Sequence, residues 1–335
     1  MSRKNLWIFL SAIVTITLVI SSFLFGDVQV AAQEQRIHMT DAQTSLANSP
    51  ATRSAVTIHR YESPKMDAVN LYWIEATQGI ILVDAGRFLS QARYALEEIR
   101  SQSNKPIIGI LLTHPHTDHY GGLPVFARAA VKDVPIYASE ITANDIRTDG
   151  QGFIKLRKEL HGNDFPDRAE IPLPNHIVKD RETFQLGGLT FQVIDLPKNE
   201  TLGTTLYHLP NQRVLFTGDI VTNKSIPFLI NGFSGNWLNQ LSMLSQRYSD
   251  QMVYHGHGQP DVAKLSIAEL SEYISTLRQQ VENALKSDSR ITPEEKSAIV
   301  TAMRKRYPDY ETSMVVQNLQ ERNIDGIAKE LQQTM

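Results

Sequence analysis

Leu111-Leu112-Thr113-His114-Pro115-His116-Thr117-Asp118-His119 places three imidazoles and a carboxylate within six positions, behind the apolar, β-rich run 107–113. A strand that ends in a turn can aim such side chains into one cavity. Neutral imidazole and carboxylate are the donors that borderline and hard divalent metals accept. A surface His-rich loop would account for the histidines alone, but an Asp set between the second and third His at a strand end points to a metal. The chain has no Cys, so thiolate sites, disulfides and Cys nucleophiles are excluded and any metal is held by nitrogen and oxygen.

Working outward, residues 55–61, 68–75 and 80–84 read as strands, 88–99 as a helix, and 107–113 and 135–138 as further strands. Residues 140–180 are mixed, helical at first and then Pro-rich. Residues 184–186, 189–195, 204–209 and 213–217 read as strands, 237–247 as a helix and 252–254 as a short strand. Two β-rich halves separated by helices predict two sheets packed face to face with helices outside. After Pro260 the period becomes helical, with Leu270, Tyr273, Ile274, Leu277, Val281 and Leu285 on one face. Thr292-Pro293-Glu294-Glu295 is a capping box with Pro at the first helical position, and two short helices are expected beyond it. Residues 55–260 are thus expected to form an α/β domain and 261–335 a helical extension, which packs on that domain or mediates a homodimer.

Three further motifs fall in order. Asp84-Ala85-Gly86 ends an early strand, Phe216-Thr217-Gly218-Asp219 follows a later one, and Tyr254-His255-Gly256-His257-Gly258 follows another. Together with His-x-His-x-Asp-His at 114–119, this set resembles the metallo-β-lactamase-fold hydrolase superfamily over about residues 55–260. The resemblance implies an αββα sandwich of two mixed β-sheets, with two divalent metals at one edge between the sheets. Where that family carries Pro-Gly-His-Thr-x-Gly-Ser, this chain has Lys198-Asn199-Glu200-Thr201-Leu202-Gly203-Thr204, with Glu200 in the place of His. Alkylsulfatase-like branches use Glu near this position. Glu200 is either a ligand or a solvated loop residue that leaves the first site weak or empty, and Asp195 stands behind it as another carboxylate.

On the ligand reading, His114, His116, Glu200 and Asp219 hold one ion, and Asp118, His119, Asp219 and His257 hold the other. Zinc is expected, with Mn or Fe favoured somewhat by the extra carboxylate. Three carboxylates and a bridging hydroxide would balance two divalent cations. The expected activity is attack of metal-activated hydroxide on a small ester, thioester, lactone, lactam or sulfate ester, with Asp118 ligating a metal while orienting the nucleophile or shuttling its proton. An exported β-lactamase and a metal-poor binding protein on the same fold are the competing readings. Lys224, Asn223 and Tyr120 are weaker candidates for substrate contact. His255 is expected beside the metals or exposed, His59 and His208 in packing or at the surface, and Trp237 in the core. His161 and His176 are candidates for the rim.

A formal charge of −3 argues against nucleic acid as a partner, leaving a small-molecule substrate. Neither a G-x-S-x-G elbow nor a G-x-x-x-x-G-K-[ST] phosphate loop occurs. Arg3 and Lys4 precede the uncharged run 6–25, and Val30-Ala31-Ala32 offers a small-residue cleavage site. Residues 1–32 therefore read as a signal peptide or, since the run is long enough to span a bilayer, as an uncleaved membrane anchor. Residues 33–54 read as a flexible leader. The protein is expected to be exported, periplasmic or extracellular.

Overall fold

The computed structural model describes residues 56–63, 68–287, 290–312 and 316–334; the expected address at 1–32 and leader at 33–54 lie outside the described residues. Strands β1 (Thr57–Glu62), β2 (Asn70–Glu75), β3 (Ile80–Val83), β4 (Ile107–Leu111), β5 (Ile136–Ser139) and β6 (His176–Val178) form one six-stranded sheet in chain order. β1, β2 and β3 pair antiparallel, and the pairs from β3 to β6 are parallel. Parallel neighbours need crossovers. These are α1 (Leu89–Gln102), the short pair α2 (Thr117–Tyr120) and α3 (Leu123–Ala129), and then α4 (Glu140–Thr148) and α5 (Phe153–His161).

The second sheet holds β7 (Thr183–Leu186), β8 (Leu189–Pro197), β9 (Gly203–Leu209), β10 (Val214–Gly218), β11 (Met252–His255) and β12 (Asp261–Val262). Its strands pair antiparallel except β10 and β11, which are parallel and joined through α6 (Ser234–Tyr248).

Side-chain alternation along the strands builds the layers. In β2 and β3, Tyr72, Ile74, Ile81 and Val83 face the second sheet and meet Phe191, Val193, Tyr207 and Phe216. Their neighbours Leu71, Trp73, Ile80 and Leu82 face outward under α1, α3 and α5. In the second sheet Leu206, Leu215 and Val253 face the other way, into a core closed by Trp237 and Leu241 of α6. The result is the expected αββα sandwich.

The C-terminal helices α7 (Ala263–Ser287), α8 (Pro293–Arg306) and α9 (Leu319–Thr334) share that outer core. Leu270, Tyr273, Ile274, Leu277 and Val281, the face read from the sequence, are buried there, so this face packs on the second sheet. At the head of α8, Thr292 Oγ1 accepts from Glu295 N at 3.2 Å while the Glu295 carboxylate accepts from Thr292 N at 2.8 Å. The elements not read from the sequence are short: β6 and β12, with three and two residues, α2, a single turn, and α3, with seven residues. Among the described residues, no helix is long and apolar enough to cross a membrane.

Candidate metal centre

The chemically interesting side chains all follow strand ends. Because β3 and β4 run parallel, as do β10 and β11, their carboxyl ends emerge at a common edge of each sheet. Asp84 follows β3, the 114–119 run follows β4, Asp219 follows β10 and His257 follows β11, while Glu200 lies in the loop between β8 and β9. Backbone hydrogen bonds lock these loops across the two sheets: Thr205 N donates to Thr113 O at 2.7 Å, and Asn70 N to Gly256 O at 2.8 Å. Gly256 is required by space, since a Cβ there would lie 1.9 Å from Asp219 Oδ1 and 2.8 Å from His119 Cε1.

Seven buried side chains converge. His114, His116, Glu200 and Asp219 form one group, and Asp118, His119 and His257 a second; within each, one donor atom per residue lies within 4.8 Å of every other. His116 Nδ1 is 3.2 Å from Glu200 Oε1, and His114 Nε2 is 3.7 Å from Asp219 Oδ2. The same Asp219 oxygen lies 3.1 Å from His257 Nε2 and 3.4 Å from His119 Nε2, so Asp219 sits between the groups. Asp118 Oδ2 is 3.3 Å from His257 Nε2. The structure thus buries Glu200 among the histidines rather than leaving it solvated. Asp195 is not in either group: it lies on β8 and accepts from Thr205 Oγ1 at 3.1 Å.

Neighbouring groups set which imidazole nitrogen is free. His119 Nδ1 lies 2.8 Å from Asp84 Oδ2, an obligate acceptor when ionised, so Nδ1 carries a proton and Nε2 is the nitrogen left to offer a lone pair to a metal. His257 Nδ1 donates to Ala68 O with the same consequence. The Thr113 hydroxyl gives its proton to Asp84, leaving its oxygen to accept from His114 Nδ1 at 2.9 Å. One carboxylate therefore orients His119 directly and His114 through Thr113. Asp84 does this at φ 61°, a left-handed conformation uncommon outside Gly and tolerated best by Asp and Asn.

Electrostatics divides the carboxylates. Burial alone would raise Asp118, but the Arg87 guanidinium 3.2 Å away, with His119 and His257, holds it well below the usual carboxylate range. Glu200 is pushed up to about 7, by burial and then by Asp219. Burial would lower His257, yet Asp219 and Asp118 raise it to about 10. Arg87 went unread in the sequence; its signal was its place directly after Asp84-Ala85-Gly86.

The donor set fits a pair of divalent cations. Among the described residues, nothing makes a well-formed hydrogen bond to the Nε2 atoms of His114, His116, His119 and His257, to Asp118 Oδ2, or to either carboxylate oxygen of Glu200 and Asp219. One such buried, unsatisfied atom costs about 1–3 kcal/mol. Nine such atoms around one centre are far more than a fold ordinarily leaves without a partner, and cations are what this donor set accepts.

The weaker candidates lie elsewhere. Tyr120 is buried in the core between the first sheet and its helices. Lys224 pairs with Asp309 at 3.8 Å and, with Asn223, lines an acidic cleft of about 490 Å³ to which none of the seven side chains contributes. His255 is buried and bonded to Val221 O at 3.0 Å. His161 packs edge-on against Phe88, and His176 is an exposed residue of edge strand β6, so neither joins the two groups. His59 stacks on Trp73, and Trp237 is a core residue that donates to Ile220 O. Two aromatics missed in the sequence flank His116 instead: Phe228 at 5.1 Å and Phe153 at 6.1 Å between ring centroids.

An αββα sandwich with paired His/Asp/Glu groups at the strand ends defines a metal-binding class of fold. The chain belongs to the metallo-beta-lactamase superfamily, whose family model matches residues 65–257. It is similar to a linear primary-alkylsulfatase of a Pseudomonas species, 28% identical over 228 residues, 59% of this chain and 43% of that protein. It is also similar to a probable metallo-hydrolase of Streptococcus pyogenes, 28% identical over 200 residues, 56% of this chain and 78% of that one. The chain therefore spans less than half the length of the alkylsulfatase. Among solved structures, a metallo-beta-lactamase family protein from Thermus thermophilus shares the fold with a TM-score of 0.61 at 19% identity, over 85% of this chain and 95% of that one.

Proposed function

We propose that this protein is an exported, metal-dependent hydrolase of a small ester-class substrate, with two divalent ions, zinc foremost, held by His114, His116, Glu200 and Asp219 and by Asp118, His119, Asp219 and His257. The observation that carries the proposal is the convergence of nine buried, unsatisfied donor atoms from seven side chains. When bound, such ions supply hydroxide at neutral pH and a Lewis acid for the oxygen that gains charge. The chain's own residues do the rest. Asp118, kept ionised by Arg87, accepts a hydrogen bond from the attacking water and fixes its direction; its depressed pKa makes it an orienting group more than a proton store. Asp84, Thr113 and Ala68 keep three imidazoles in the tautomer that presents Nε2. Phe228 and Phe153 form an apolar wall beside His116, which suits a substrate with a hydrocarbon portion. Similarity to an alkylsulfatase is the reason to try alkyl sulfates first among the esters.

The test is elemental analysis of the purified protein after dialysis against buffered zinc, followed by turnover of an alkyl sulfate, a lactone, a thioester and nitrocefin. Two ions per chain and a preference for an ester with an apolar chain are expected. A wild type that retains at most one ion sinks the two-site reading, and fast nitrocefin turnover replaces the ester reading with that of a β-lactamase. Glu200→Ala is expected to lower the content towards one ion; unchanged content contradicts ligation by Glu200.

A further inference from the structure

Glu200 lies in a loop with little regular structure of its own, yet its backbone is held firmly. Asn231 Nδ2 donates to Glu200 O at 2.8 Å. Asn236 Nδ2 donates to Pro197 O and Lys198 O at 2.9 and 2.8 Å. Gln240 donates to Pro197 O at 2.6 Å and accepts from Asn199 Nδ2 at 3.2 Å. All three amides come from one segment, residues 231–240, which enters and forms the first turns of α6.

That segment is itself pinned from the far end of the chain. Asn323 of α9 is fully buried; its Oδ1 accepts from Leu229 N at 2.8 Å and its Nδ2 donates to Pro227 O at 2.7 Å. One turn on, Gly326 lets the helix backbone touch the loop: a Cβ there would lie 2.4 Å from Leu229 O and 2.7 Å from Ile230 O. One turn further, Glu330 accepts from Ser234 N at 2.9 Å and Gly235 N at 2.8 Å, satisfying free N–H groups at the head of α6, while Arg278 holds the carboxylate at 3.0 Å. Positions 323, 326 and 330 share one helical face. All three dock on residues 227–235, the stretch that also seats Phe228 against His116.

We propose that α9 is the positioning element for the metal site of His114, His116, Glu200 and Asp219. Asn323, Gly326 and Glu330 fix residues 227–235, and Asn231 transmits that position to Glu200. The proposal rests on Glu200 being a ligand. The second group takes its support elsewhere, from Arg87 on Asp118, Asp84 on His119 and Ala68 on His257, so a fault in this relay weakens one site and spares the other.

Two variants and a reference test it in the full chain. Asn231 is exposed, so Asn231→Ala removes the bond to Glu200 without disturbing a core. Gly326→Ala improves intrinsic helix propensity but sets a methyl 2.4 Å from the Leu229 carbonyl oxygen, so the 227–235 loop must shift to admit it. Zinc affinity is read by competition with a chromophoric chelator, stoichiometry by elemental analysis, and folding by the thermal midpoint of the metal-free chain. Both variants are expected to weaken one site by about 10–100-fold, the range for residues that orient ligands, while the other site keeps wild-type affinity and the Asn231→Ala midpoint is unchanged. Glu200→Ala is the reference and should lose the same site. If Glu200→Ala loses a site while Asn231→Ala and Gly326→Ala bind two ions as wild type does, the relay is refuted and the ligand reading stands. If Glu200→Ala keeps both ions, the ligand reading fails and the relay with it. Should Gly326→Ala fail to fold, Asn231→Ala alone decides.

Discussion

Replacing Asp84 by Asn isolates what one carboxylate does for two histidines. Asn tolerates the left-handed backbone at this position, so the perturbation is confined to the side chain. Asp84 accepts from Thr113 N at 2.9 Å, from Thr113 Oγ1 at 2.9 and 3.1 Å, and from His119 Nδ1 at 2.8 Å, with no donor of its own when ionised. An amide must turn its NH2 toward one of these neighbours. Facing His119, it forces the imidazole proton onto Nε2 and removes the lone pair that a metal needs. Facing Thr113 N, it leaves a buried donor against a donor, at about 1–3 kcal/mol. The metal-free chain can adopt the first arrangement, but the metal-bound chain must adopt the second, so the penalty falls on metal affinity. At 1.4 kcal/mol per tenfold, the expected loss at the His119 site is about 10–100-fold, in line with other residues that orient histidine ligands. Chelator competition reads the affinity, and thermal melting without metal reads the fold. Wild-type affinity at both sites in a folded Asp84→Asn protein would refute the tautomer argument.

Gly256→Ala puts a methyl where Asp219 Oδ1 now lies; because Asp219 Oδ2 lies 3.7 Å from His114 of one group and 3.4 and 3.1 Å from His119 and His257 of the other, elemental analysis should find both ions lost. Arg87→Met strips a fully buried partner from Asp118, and urea denaturation of the metal-free chain should show a loss of about 3–5 kcal/mol, the cost of breaking a buried pair from one side. In the metal-free chain Asp219 and Asp118 raise His257 to about 10, and Asp219 and Asp84 raise His119, so a proton on Nε2 competes with zinc for both imidazoles. Zinc binding requires the neutral form and must release those protons. Calorimetry in buffers of different ionisation enthalpy should therefore report net proton release on zinc binding near pH 7, and zinc affinity should climb with pH through that range; a buffer-independent heat would contradict the assignment.

The parts of the centre legible in the sequence were those that end strands. A run such as 107–111 followed by His114, or 214–218 followed by Asp219, carries both an apolar β pattern and a polar residue too costly to leave unused at its end. Glu200 was legible only as an anomaly, because burial among histidines is a tertiary fact that no local spacing reports. Arg87 was illegible for a related reason: an arginine after a turn looks solvated until the structure shows Asp118 above it. The apolar face of α7 was readable from its period, whereas Asn323, Gly326 and Glu330 look like the wet side of α9. A polar residue that spends its hydrogen bonds on a distant backbone leaves no periodic trace, and β6 and β12 are too short to have a period.

Charge ties the legible parts to the illegible ones. The sequence offers three carboxylates to the two ions, but the structure adds Asp84 and Arg87 to the same buried volume, one of each sign, so the balance survives with different participants. Four buried carboxylates and one guanidinium leave three negative charges; two divalent cations bring four positive ones. The remaining positive charge is available to an anionic nucleophile or to an anionic group of the substrate. With histidine at position 200 the excess would be two, and a buried site at low effective dielectric would hold its second cation less readily beside Arg87. The glutamate is thus the counterpart of the arginine: a site that uses a guanidinium to keep Asp118 ionised and aimed needs one more carboxylate to bind two cations. Glu200 supplies it on the opposite side of Asp219, in the loop that α9 holds in place.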